Sequence, residues 1–159
     1  MKLTVRKGNS QDRKAILDMA EEFWKHTIYD DPFDREYVAT MLNLAYQQDM
    51  VVVLDKEGEG PVGFTCAVAS PILGNGNALA ALELAFWINK DQRGQSLAPK
   101  LLVGLETLAK RVGVKYMNLV AMENLHPEIA IELYESMDHK KNETIYTKVL
   151  KQWQLSQAQ

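Results

Sequence analysis

Residues 79–113 read LAALELAFWINKDQRGQSLAPKLLVGLETLAKRVG, and the fold turns on how this stretch divides. Leu79 to Ile88 is a run of bulky apolar residues interrupted by one acid, Glu83. The run is long for a half-exposed strand and lacks the spacing of an amphipathic helix. It is therefore expected to be a strand buried on both faces in the middle of a sheet. A polar turn follows, Asn89 to Gln95, and the apolar spacing beyond it predicts a helix from about Ser96 to Val112. The first amides of a helix have no partners within it, so strand, turn and helix start together form an anion site suited to a phosphate. Ser96 is small and able to cap the helix, and Pro99 falls in the first turn, where a missing N–H is tolerated.

Composition bounds what surrounds this stretch. The 159 residues are 47% hydrophobic and 25% charged, a globular balance sufficient for one domain with a real core. With 18 Lys and Arg against 21 Asp and Glu, the net charge of −3 gives no electrostatic footprint for nucleic acid or an anionic membrane. The single cysteine, Cys66, excludes a disulfide framework, suits a reducing compartment and reads as core within its apolar run. Met1 to Lys7 has no apolar signal-peptide core, and no apolar run approaches the roughly 20 residues of a membrane span. A cytoplasmic protein is expected.

Working outward, Leu3, Val5 and Lys7 alternate with polar residues as a first strand. Asn9 or Ser10 can cap a helix that runs to about Lys25 through Ile16, Met19, Ala20, Phe23 and Trp24. A polar and aromatic loop, His26 to Pro32, leads to a second helix capped by Asp34 and running from Arg35 to Gln48. His26 and Tyr29 read either as acceptor-site residues or as solvated loop. Met50 to Leu54 and Val62 to Ala69 form a hairpin around Glu57 to Pro61, and Gly74 to Asn77 is a second hairpin connection rather than a phosphate loop. Val114 to Val120 is a strand after Gly113, and Glu128 to Met137 a short helix with Pro127 at its start. Lys140 to Leu150 alternates loosely as a last strand. The order β-α-α-β-β-β-α-β-α-β describes an α/β protein with a mixed central sheet and helices on both faces, spanning residues 1–150, with a polar tail at 151–159.

Glu83 is the one ionisable side chain inside the central strand. Burial raises a carboxyl pKa toward the range useful for a general base, so Glu83 reads as a base or as a structural acid paired with a nearby cation or amide. The histidines lack partners at ligand spacing, so no metal site is expected, and neither G-x-S-x-G nor G-K-[ST] occurs.

Arg93-Gly94-Gln95-Ser96-Leu97-Ala98 resembles the R-x-x-G-x-G/A pattern of the GNAT superfamily of acyl-CoA-dependent N-acetyltransferases, with Ser96 in place of the first patterned glycine. The element order is similar to the GNAT fold over nearly the whole chain, and Gly63-Phe64 is similar to the V-G-F at the start of a family strand. The spacing from Glu83 through Trp87 to Arg93, and the ending from Glu143 to Lys148, look like those of phage-encoded members. The resemblance implies acetyl-CoA as co-substrate, with its diphosphate gripped by Arg93, Gly94, Gln95, Ser96, Leu97 and Ala98. Its pantetheine arm would lie along the main chain of Phe86, Trp87 and Ile88, and its terminal phosphate would meet Lys100, Lys140 or Lys141. Family members often carry a glutamate where Glu83 stands, which supports the base. Leu133-Tyr134-Glu135-Ser136-Met137 is similar to the family's C-terminal L-Y motif, which gives the Tyr134 hydroxyl the role of protonating the leaving thiolate; a ring packed on the core is the other reading. Asp138-His139 replaces the usual Gly-Phe, and Asp tolerates the left-handed geometry required there. Pro127 stands where the family often has asparagine, so Asn124 is the candidate to supply that cofactor contact, or else a loop or cap residue.

The function so implied is transfer of an acetyl group from acetyl-CoA to a primary amine, on a small molecule or a protein, by direct transfer in a ternary complex. The contrasting expectation is a CoA-binding protein without catalysis, acting as a sensor or as an inhibitor of a partner. Partners beyond the amine are expected to include neither nucleic acid nor membrane, and exposed strand edges leave a homodimer open.

Overall fold

A computed structural model describes residues 1–94 and 96–150. Along the chain run β1 (Leu3–Lys7), α1 (Arg13–Trp24), α2 (Arg35–Gln47), β2 (Val51–Lys56), β3 (Gly60–Ile72), β4 (Asn75–Ile88), α3 (Leu97–Arg111), β5 (Val114–Asn118) and α4 (Pro127–Ser136). The strands form one sheet in the order β1-β2-β3-β4-β5. Successive pairs from β1 to β4 are antiparallel, and β5 joins β4 in parallel after the α3 crossover.

Strand β2 shows why the sheet is covered on both sides. All of Val51, Val52, Val53 and Leu54 are buried, and they alternate between two cores. Val51 and Val53 join Ile16, Met19, Leu42 and Phe64 beneath α1 and α2. Val52 and Leu54 join Leu101, Leu105 and Ile88 beneath α3. The period of two in the strand thus sends alternate side chains to helices on opposite faces.

A capping box starts the single 3-10 turn Ser10–Asp12 that leads into α1: the Asn9 side chain accepts from the Gln11 amide, while Asp12 accepts from the Asn9 amide at 2.8 Å. Asp12 is also held by both terminal nitrogens of Arg6, each at 2.8 Å, and Arg6 reaches Asp55 as well. Burial pushes the Asp12 carboxyl up, but the Arg6 guanidinium and the Asn9 amide outweigh it and hold the group below its ordinary range.

Two expectations need correction. Strand β4 lies in the sheet interior, but β5 accompanies only its Leu79–Leu82 segment, and Leu82 is 48% exposed. Burial on both faces therefore does not hold along the whole run. The last strand, expected over Lys140 to Leu150, does not form: residues 140–150 lie outside helix and strand, all exposed. Ile145, Tyr146, Val149 and Leu150 are 83%, 91%, 85% and 78% exposed. They come as adjacent pairs, so no register puts all four on one face of a strand. The polar tail expected at 151–159 lies outside the described residues.

Candidate functional site

The site begins where β4 and β5 part. Their register runs from Leu79 opposite Val114 to Leu82 opposite Asn118 and stops there. From Glu83 to Ile88 that edge of β4 has no strand partner among the described residues, an extended main-chain edge of about 20 Å at roughly 3.3 Å per residue. On its other edge, β4 pairs Ala85 with Cys66 and Glu83 with Ala67, so Leu84 is an extra residue, a bulge. Leu84 and Ala85 consequently pack toward the α1/α2 core together, and Trp87 joins them there. Phe86 is half-buried, while Trp87 and Ile88 are buried, so those two offer their main chain and not their side chains. The Ile88 carbonyl is already engaged by Arg93 Nε at 2.8 Å.

Glu83 and Tyr134, which lie far apart in the chain, meet at this parting. The Tyr134 hydroxyl is 3.0 Å from the Val120 carbonyl and 3.4 Å from Glu83 Oε2. Glu83 is 7% exposed. Burial pushes its carboxyl up to about 7, against smaller lowering contributions from the Val120 backbone and the Tyr134 hydroxyl. The same burial, with the Glu83 charge beside it, raises the Tyr134 phenol well above its ordinary range. At neutral pH the pair therefore offers a carboxyl balanced between its two protonation states and a fully protonated phenol. Val120 contributes through its backbone alone, a role that no side-chain pattern announces.

The turn from Arg93 to Ala98 is shaped by left-handed backbone. Gly94 has φ 87° and Ser96 has φ 54°, ψ 31°. Glycine takes such a conformation freely, whereas a residue with a Cβ is strained by about 1–2 kcal/mol. Ser96 thus occupies the conformation for which a patterned glycine would be suited. Contrary to expectation, its side chain makes no capping bond to α3; a left-handed residue cannot present its hydroxyl to the N2 and N3 amides as an extended N-cap does. Leu97 is buried and Ala98 half-buried at the start of α3. Arg93 folds back over strand β4, its guanidinium carbon 4.6 Å from the Trp87 ring centroid. Gln95 lies outside the described residues.

Other expected positions separate from this centre. Asn124 is exposed in the turn before α4 and caps nothing, since the N-cap is His126 at φ 47°. The His26 ring lies 5.5 Å from that of Trp87, tilted by 30°, and Tyr29 lies 5.5 Å from Trp24 with nearly parallel rings. Cys66 is a buried thiol pushed up to about 12 by burial and then by the Glu83 charge, as a core residue should be. Asp138 takes the left-handed conformation, φ 66°, that the Gly-Phe replacement requires. His139 Nε2 then reaches Glu106 of α3 at 2.8 Å and fixes the end of α4. That contact spans 33 residues and has no local signature in the sequence. Among the described residues no three His, Cys, Asp or Glu side chains gather as a metal cluster, and no helix is long and apolar enough to cross a membrane.

Comparison with solved structures places this geometry. An acetyltransferase of Clostridium acetobutylicum solved with acetyl-CoA superposes with a TM-score of 0.71 at 14% identity, covering 93% of this chain and 96% of that one. Glucosamine-6-phosphate N-acetyltransferase from Arabidopsis thaliana gives 0.69 at 15%, covering 95% and 100%. A Trypanosoma brucei acetyltransferase gives 0.69 at 16%, covering 94% and 100%. At these identities the likeness is one of fold. No curated protein sequence matches. The sequence profile described as "Acetyltransferase (GNAT) family" matches residues 14–138. That match takes in β4, the turn, α3 and Tyr134, and on it the chain belongs to the GNAT acetyltransferase family.

Proposed function

We propose that this protein moves an acetyl group from acetyl-CoA directly to the nitrogen of a primary amine, with both substrates bound together. The observation that carries the proposal is the Glu83–Tyr134 pair beside the unpartnered edge of β4. Acetyl-CoA supplies the thioester. The free main chain near Phe86 and Trp87 suits an extended, amide-bearing arm laid along it as an added strand. Left-handed Gly94 and Ser96 ahead of the α3 start suit a diphosphate, because such turns direct successive amides toward an anion. Arg93 adds positive charge at that turn.

The residues divide the proton work. An ammonium acceptor must lose a proton before its nitrogen can form the new C–N bond, and Glu83, poised near neutrality, takes it. The C–S bond breaks as the thiolate leaves, and Tyr134 supplies the proton the sulfur needs. The two events are coupled: once Glu83 is protonated its charge no longer opposes ionisation of Tyr134, and the carboxyl passes its proton back to the phenolate. The regenerated carboxylate takes the second proton that the nitrogen sheds on becoming an amide and releases it to solvent. Holding both substrates at one parting of the sheet supplies much of the acceleration. The acidic balance of the chain favours a cationic amine, on a small molecule or a protein.

A thiol-release assay with acetyl-CoA and a panel of amines tests this. Tyr134→Phe is expected to lower kcat by about 10²–10⁴-fold while coenzyme affinity, read by calorimetry, holds. Tight coenzyme binding with no turnover on any amine, unchanged by Tyr134→Phe, would instead identify a binding protein acting as a sensor or inhibitor.

A further inference from the structure

Tyr134 stands on an element that core packing does not hold. Helix α4 has no buried residue, and Tyr134 itself is half-buried. Its hydroxyl must nevertheless stay within reach of Glu83 and the Val120 carbonyl, at 3.4 and 3.0 Å. A misplacement of about 1 Å can cost a reaction about 10²-fold, so the end of this helix has to be fixed by other means.

The turn that closes α4 supplies them. Asp138, at φ 66°, lets the chain reverse, and two backbone bonds seal the stop. The Asp138 amide donates to the Glu135 carbonyl at 3.2 Å, and the His139 amide to the Tyr134 carbonyl at 3.0 Å. In a helix stop of this kind, the residue after the left-handed one folds back against the residue five positions before it. Here those two are His139 and Tyr134, and their rings meet edge to face with centroids 6.2 Å apart. The His139 ring is pinned in turn, because its Nε2 donates to the part-buried Glu106 carboxylate at 2.8 Å.

Glu106 is a firm anchor. It sits on α3, which is seated on the sheet through fully buried Leu101, Leu102 and Leu105. Gly104 lets the helix approach closely, since a Cβ there would come within 3.0 Å of Val52. The same helix begins at the turn proposed to hold the diphosphate. We propose that the Glu106–His139 pair is a positioning device: it registers the Tyr134 phenol against the coenzyme helix and holds the hydroxyl between Glu83 and the departing sulfur. The proposal rests on the acid role given to Tyr134 above, and both residues of the pair act through that phenol.

The test is a double-mutant cycle on the full chain, with circular dichroism and urea unfolding to establish that each variant is folded. Glu106→Ala is expected to lower kcat about 10–100-fold with coenzyme affinity unchanged by calorimetry, and to lose that effect when Tyr134→Phe is already present. Glu106→Gln keeps an oxygen that accepts from Nε2 and should recover most of the loss. A second readout is independent of turnover. Burial raises the Glu83 carboxyl, and the Tyr134 hydroxyl pulls it back down. An NMR titration of the Glu83 carboxyl carbon should therefore move upward in Glu106→Ala, as in Tyr134→Phe, and no further in the double variant. A Glu83 titration that Glu106→Ala leaves unmoved overturns the proposal, and so does a loss of kcat equally large in the Tyr134→Phe background. If Tyr134→Phe alone leaves kcat untouched, the acid role fails, and the titration then decides the positioning by itself: moved by Glu106→Ala it stands, unmoved it falls.

Discussion

Replacing Glu83 with glutamine should remove a pH dependence from the stability of the fold. Burial holds the folded-state carboxyl at about 7 against an ordinary 4.5. Below pH 4.5 the group is protonated whether the chain is folded or not, and it contributes nothing. Between 4.5 and about 7 the folded chain keeps a proton that the unfolded chain has released, so stability falls as pH rises. Above that window the charged carboxylate sits in its buried site at full cost. At about 1.36 kcal/mol per pKa unit, the gap is worth about 3 kcal/mol. Urea unfolding of the parent and of Glu83→Gln, followed across pH 4 to 8, isolates it, because every other titration is common to both proteins. The difference in unfolding free energy is expected to change in favour of the glutamine protein by about 3 kcal/mol, a midpoint change of about 1–3 M at usual urea slopes. In the acetyl-transfer assay, kcat/KM of the parent should rise through half its maximum near pH 7 toward a plateau about a unit or more above it, and that of the variant should lose this limb. Two stability curves that stay parallel would refute the account, because Glu83 would then titrate at its ordinary value despite its burial.

Three further outcomes follow from the same structure. Tyr134→Phe deletes a hydrogen bond that lowers the folded-state Glu83 pKa, so the pH window over which stability falls should keep its lower bound near 4.5 and extend further upward, read in the same urea series. Ser96→Val adds a β-branched side chain to the left-handed strain that Ser96 already bears and should cost about a further 1 kcal/mol in thermal or urea unfolding while weakening coenzyme binding by calorimetry; Ser96→Gly should be neutral or better. Asp12→Ala leaves the Asn9 amide without its acceptor and Arg6 with Asp55 alone, and should destabilise by about 1–2 kcal/mol, because the part-exposed guanidinium keeps one carboxylate and its access to water. Because Asp12 is held below its ordinary pKa, its contribution is present at neutral pH and is lost as the solution is acidified through the carboxylate range.

Where the sequence carried a period or a cap, the elements were legible. The short apolar run of β2, the Asn9 and Asp34 caps and the helical spacing from Leu97 each specify structure locally, and each element stands within a few residues of its expected place. Glu83 stood out for the same reason, as a charge inside an apolar run. The pairing of Glu83 with Tyr134 was not legible, because two residues 51 apart meet only through the sheet and the α4 approach. Val120 left no trace, since it works through its main chain. Ser96 misled: serine is a good cap by type, but the turn geometry set by its neighbours puts it in a left-handed conformation that disables the cap. Lys140 to Leu150 misled in the opposite way, because strand-forming residue types were present without the strict alternation that would give one face something to bury.

Leu84 gives the molecule a counting problem that residue identity alone does not reveal. Upstream of it, Ala81 points toward α3; downstream, Phe86 and Ile88 do, so odd and even positions exchange sides across the extra residue. Strand β4 is in effect two strands spliced half a period out of step. A chain one residue shorter here could keep every side chain of chemical interest and still turn one half of the strand inside out. Insertions and deletions between Leu82 and Trp87 should therefore be far less tolerated than substitutions at the same positions, Leu84 included.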